Sequence, residues 1–111
     1  NEHEAYYLSD HGVEVLATAG LSLDTSLEEI QKISRVPPAD VFTHACSVDH
    51  RDAEALLICC TDFNTFDSIE PLEAKLKKPV ISSNSATLWH SLRDAGISDP
   101  IQGLGRLLQY H

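Results

Sequence analysis

Positive charge is scarce in this chain. Eight Lys and Arg stand against 17 Asp and Glu, a formal net charge of −9. No nucleic-acid partner is expected on that balance, because binding a phosphate backbone takes a basic footprint. The acidic excess serves solubility and says little about fold. Cysteine is also sparse: three residues, an odd number, with Cys59 and Cys60 adjacent. That is not the framework of a secreted disulfide protein, and the expected compartment is a reducing cytoplasm. The long apolar run of a membrane span is missing and no secretory signal is visible, so no membrane association is expected. There is no Cys-x-x-Cys pair, and the six histidines show no ligand spacing, so no metal site is expected either. Internal repeats and low-complexity segments are absent.

What is present is ordinary for one globular domain: 111 residues, 42% hydrophobic and 23% charged, enough to bury a real core. The chain opens at Asn1 inside a helical pattern, which suggests a piece of a longer protein. "EHEAYYLSD" reads as a helix stopped near Gly12. "VEVLATAGL" (13–21) reads as a strand, rich in β-branched and small residues. Asp24, Thr25 and Ser26 are candidate caps for a helix "LEEIQKIS". Pro38 suits the first turn of "ADVFTHACSV", with Val41, Phe42, Ala45 and Val48 facing inward. "ALLICC" is a continuous apolar run, the pattern of a strand covered on both faces. Then follow a helix in "SIEPLEAKLK", a strand in "PVISS", a helix in "SATLWHSLRDAG" and an ambiguous tail. Helices alternating with strands predict an α/β fold, a three-layer lobe around a small parallel sheet. In such sheets ligands sit at the carboxyl ends of the strands. Cys60–Asn64 and Ser82–Asn84 occupy two of those ends and should lie close together.

Each candidate residue has a plain structural reading beside a functional one. A free cysteine is often a small core residue, but one at a strand end followed by a helix start meets N–H groups that can activate a thiol and hold an oxyanion. Alternation turns Cys59 away from the face of Cys60 and into the core. Cys46, on a helix among apolar residues, also reads as core. A disulfide between Cys59 and Cys60 would need strained geometry. Thr61, Ser82, Ser83 and Asn84 are either helix caps or donors to a ligand, and Ser83 and Asn84 are expected to serve as both. Trp89 reads as core and His90 as surface. Glu73 reads as facing solvent or a helix neighbour, and "KLKK" as a solvated helix end.

Residues 60–97, "CTDFNTFDSIEPLEAKLKKPVISSNSATLWHSLRDAGI", carry a resemblance. Cys60-Thr61, Leu72-Glu73, Pro79-Val80, Ser82-Ser83-Asn84 and Trp89, in that order, resemble the C-terminal lobe of the Asp/Glu racemase superfamily, nearest the branch of maleate cis–trans isomerases and arylmalonate decarboxylases. The closing "GLGRLL" fits the same pattern. Asp62 stands where the isomerase pattern has Asn, adding negative charge beside the expected carboxylate site.

The resemblance implies that residues 1–111 are the C-terminal lobe of a two-lobed protein, with the lobe's first strand lying outside them. It implies isomerase, racemase or decarboxylase chemistry on small carboxylic acids, without a cofactor, in a cleft that takes one cysteine from each lobe. Cys60 matches the cysteine of this lobe, and Thr61, Ser83 and Asn84 fall at substrate-binding positions. A homo-oligomer is expected as well, because a sheet lacking its first strand leaves strand edges to be covered. The rival reading, from another class, is a non-catalytic ligand-binding or interaction domain on the same fold.

Overall fold

The computed structural model describes residues 2–21 and 26–111, the side chains at 29 and 30 excepted. Its centre is a small parallel sheet of β1 (Leu56–Ile58) and β2 (Val80–Ser82), in the register Leu56↔Val80, Leu57↔Ile81 and Ile58↔Ser82. Between them runs α4 (Phe66–Leu76), so β1–α4–β2 forms the crossover unit that parallel pairing requires. Upstream lie α1 (Glu2–Asp10), α2 (Leu27–Ile33) and α3 (Pro38–Val48); downstream come α5 (Ser83–Asp94) and α6 (Arg106–Tyr110). The α/β class and the parallel sheet agree with the sequence. The tail, ambiguous in sequence, supplies α6. Of the candidate caps of α2, Asp24 and Thr25 lie outside the described residues.

The apolar spacing explains the packing. Val41 and Ala45, four apart on α3, are both buried, and α3 lies against α4. Ala45, Leu56, Ile69, Leu72 and Val80 form the buried cluster, with Phe42, Cys46, Val48 and Ile58 packed around it. α4, α5 and α6 each contact β2, and Leu108 of α6 is fully buried. No helix among the described residues is long and apolar enough to cross a membrane.

Three expectations are corrected and one is narrowed. Residues 13–21 form no strand. A strand exists through its ladder, and among the described residues Val13 alone in this stretch makes a backbone hydrogen bond, to the Leu8 carbonyl. The apolar run around β1 is not covered equally on its two faces: Leu56 is buried, but Leu57 is 44% exposed, because α1 stands off from it across an open apolar groove lined by Tyr7 and Leu8. Of the two readings of Glu73, solvent is ruled out, since it is buried and its carboxylate accepts the backbone N–H groups of Val80 and of Arg106 at the start of α6. Lys78 is not a solvated helix residue. Lys77 ends α4 in a left-handed conformation, and Lys78 turns inward to donate to Asp49 Oδ1 at 2.7 Å and to the His50 carbonyl at 2.9 Å.

Candidate functional site

The carboxyl ends of β1 and β2 lie side by side because the two strands are parallel and in register. Chain leaving β1 passes through Cys59 and Cys60 into a turn, while chain leaving β2 enters α5 directly. The start of α5 is fixed by buried hydroxyls. Ser82 Oγ accepts the Ser85 N–H at 3.1 Å and Ser85 Oγ accepts the Ser82 N–H at 2.9 Å, a reciprocal capping box. Thr65, at the start of α4, donates to Ser82 Oγ at 2.8 Å. Ser82, Thr65 and Ser85 are all buried, so the two helix starts are locked to one another.

On this base the turn after β1 meets the first residues of α5. The Cys60 N–H donates to Ser83 Oγ at 3.3 Å, and the Asn84 side-chain amide donates to the carbonyls of Thr61 at 3.0 Å and Phe63 at 3.2 Å. The structure therefore brings Cys60, Thr61, Ser83 and Asn84 together, as the strand-end argument requires. Cap duty falls on Ser82 and not on Ser83 or Asn84, whose side chains reach the Cys60 turn instead. Thr65 and Ser85 are not among the residues expected at the site from the sequence, yet both hold Ser82. The Ser82-x-x-Ser85 spacing was the available signal, a capping box with Ser in the place of the usual Glu or Gln.

Cys60 has φ 152°, a conformation that side-chain-bearing residues rarely adopt. Such strain persists only where surrounding contacts enforce it, and it gathers at functional sites. Cys60 is half-buried, while Cys59 is exposed, which corrects its assignment to the core: it turns to the open groove between β1 and α1. The Cys59 thiol is nonetheless pushed up from its ordinary range, first by desolvation against the apolar groups beside it, then by the Glu4 carboxylate and by Cys60. Cys46 packs on the core as expected. Trp89 is half-buried and His90 exposed. No cluster of three or more His, Cys, Asp or Glu able to hold a metal ion occurs among the described residues.

A cavity of about 700 Å³ opens on the other side of Cys60, between residues 13–21, α3 and β1. Its walls are largely aliphatic, including Val15, Leu16, Val41, Leu56 and Ile81, and Thr61, Ser83 and Asn84 take no part in them. That space suits apolar chain better than a carboxylate. The hydroxyl groups suited to an anion lie around the turn, where Thr61 is exposed, with the negative charge of the exposed Asp62 beside it.

The chain is thus a parallel α/β unit that presents a cysteine at one strand end against the hydroxyl-rich helix start at the next. The sequence model of arylmalonate decarboxylases matches residues 1–108, and the chain belongs to that family. It is 28% identical over 108 residues to the arylmalonate decarboxylase of Bordetella bronchiseptica, covering 96% of this chain and 44% of that protein. The maleate isomerase of Alcaligenes faecalis is 22% identical over 105 residues, covering 94% of this chain and 40% of that one. Among solved structures, an arylmalonate decarboxylase superposes with a TM-score of 0.81 at 27% identity, over 97% of this chain and 47% of its own. The maleate isomerase Iso from Pseudomonas putida S16 gives a TM-score of 0.88 at 25% identity, over 98% and 43%. This chain thus spans less than half the length of the relatives it matches.

Proposed function

We propose that residues 1–111 form the C-terminal lobe of a two-lobed enzyme that isomerises, racemises or decarboxylates small carboxylic acids without a cofactor. Cys60 is its reacting group in this lobe. The observation that carries the reading is the setting of Cys60: a strained strand-end cysteine whose amide is tied to the Ser83 hydroxyl. Arylmalonate and maleate, named in the relatives, are both dicarboxylates, which agrees with an anionic substrate.

The chemistry follows from where the groups stand. A substrate carboxylate takes hydrogen bonds from the hydroxyls of Thr61 and Ser83, which places its α-carbon against the Cys60 sulfur. In proton transfer the thiolate removes the α-proton to give an enolate, and a thiol on the opposite face returns one. In decarboxylation carbon dioxide leaves with its electron pair on the enolate, and the Cys60 thiol protonates the carbon. In isomerisation the thiolate adds to the double bond, the new single bond rotates and the thiolate departs. Each route develops negative charge on the carboxylate oxygens, where fixed donors lower the barrier. The opposing group comes from a second cysteine in the other lobe.

The test uses the full-length protein with a panel of small mono- and dicarboxylic acids in deuterium oxide, following turnover and deuterium incorporation by NMR. Cys60→Ala is expected to lower the rate by about 10²- to 10⁴-fold. Turnover that survives Cys60→Ala sinks the reading, and a full-length protein that binds such acids without turnover favours the non-catalytic rival.

A further inference from the structure

We infer that Asn84 is a positioning residue, whose side-chain amide clamps the turn from Thr61 to Phe63 and so holds Cys60 in its strained conformation. The inference rests on the reading of Cys60 as the reacting group.

The hydrogen bonds carry the argument. An Asn side chain has two N–H donors, and those of Asn84 are spent on the carbonyls of Thr61 and Phe63, at 3.0 and 3.2 Å. A substrate carboxylate accepts hydrogen bonds and needs donors, so Asn84 has none left to give it. The hydroxyls of Ser83 and Thr61 are the groups left for that task. The turn, by contrast, needs outside support. Its own closing bond, Phe63 N–H to the Cys60 carbonyl, is long at 3.4 Å, and Cys60 at φ 152° is not a conformation that a cysteine holds unaided. The support itself is rigid, because Asn84 lies within the buried Ser82–Ser85 box. The clamp works by fixing two carbonyls that bracket the exposed Asp62, so the turn cannot relax while both bonds stand.

The test uses the 111-residue chain with Asn84→Asp, Asn84→Ala and Asn84→Gln. Asn84→Asp keeps the shape but sets a carboxylate oxygen against two carbonyl oxygens; Asn84→Gln keeps the donors. Two readouts are taken: amide hydrogen exchange by NMR, and mass-spectrometric mapping of brief iodoacetamide labelling across pH. Asn84→Asp and Asn84→Ala are expected to speed exchange of the Cys60 amide by about five- to tenfold, as loss of two ordinary hydrogen bonds implies, with the Val80 amide unchanged. Labelling of Cys60 relative to Cys46 falls by a similar factor and its pH profile moves, while Asn84→Gln restores most of both. Unchanged Cys60 exchange in Asn84→Asp overturns the clamp. So does a uniform rise at Cys60, Cys46 and Val80 together, which marks a general loosening of the fold. If Asn84→Asp does not fold, Asn84→Ala gives the same reading. Should the unsubstituted chain show no preference for Cys60 in labelling, the reading of Cys60 fails, while amide exchange still decides the clamp.

Discussion

Glu73 accepts the Arg106 N–H with both carboxylate oxygens, at 3.1 and 3.0 Å, and its Oε1 also accepts the Val80 N–H at 3.0 Å. One buried carboxylate thus joins α4, the first residue of β2 and the start of α6. Glu73→Ala leaves those N–H groups without a partner, and a cost of about 2–4 kcal/mol is expected. Glu73→Gln keeps one acceptor oxygen and should cost about 1–2 kcal/mol. Urea unfolding followed by circular dichroism measures both, and a loss below about 1 kcal/mol for Glu73→Ala would remove the strut from the account.

Gly105 and Gly103 share φ +89° but not their surroundings. A Cβ at 105 would overlap Ile69 Cγ2 and lie 3.2 Å from Glu73 Oε1, whereas a Cβ at 103 meets nothing within 4 Å. Gly103→Ala should therefore cost only the backbone term, about 1 kcal/mol. Gly105→Ala adds overpacking against a fully buried isoleucine, for a total of about 2–4 kcal/mol. Equal losses in urea melts of the two variants would show that the space around Gly105 yields.

The three thiols should react in an order that exposure alone does not give. Cys59 is exposed, but desolvation, then Glu4, then Cys60 push its pKa up, so it carries less thiolate, the reactive form, near neutral pH. Cys60 is expected to take up iodoacetamide before Cys59 or Cys46. Glu4→Gln removes a negative charge that disfavours the Cys59 thiolate. Labelling of Cys59 should then rise by about two- to threefold at low ionic strength, an effect that salt diminishes. Preferential labelling of Cys59 or Cys46 in the unsubstituted chain would count against the assignment of Cys60.

The isolated 111-residue chain is expected to self-associate. β1 is paired with β2 alone among the described residues, which leaves its other edge open toward the 700 Å³ cavity. A second copy can supply main-chain partners to that edge, as unprotected edges commonly recruit them. Sedimentation velocity over a concentration series should show a dimer or larger species. A monomer throughout, with cooperative unfolding, would show that the lobe closes on itself.

The sequence by itself determined the α/β class, the order of elements from α3 to α5, and the convergence of Cys60 with Ser83 and Asn84. Those features follow from local periodicity and from one rule of parallel sheets: strands joined by a crossover helix end on the same side. Tertiary structure alone decided three other matters. Residues 13–21 have the composition of a strand, yet a strand needs a neighbour's N–H and C=O groups, which composition does not supply. Glu73 and Lys78 carry charges that suit solvent, and they are buried because partners distant in sequence, Arg106 for one and Asp49 for the other, meet them there. From the sequence Asn84 reads as a cap or a ligand donor, and not as a clamp. Its two amide hydrogens settle on Thr61 and Phe63 only once β1 and β2 lie in register, because a side chain's donors are assigned by what the fold brings within about 3 Å of them.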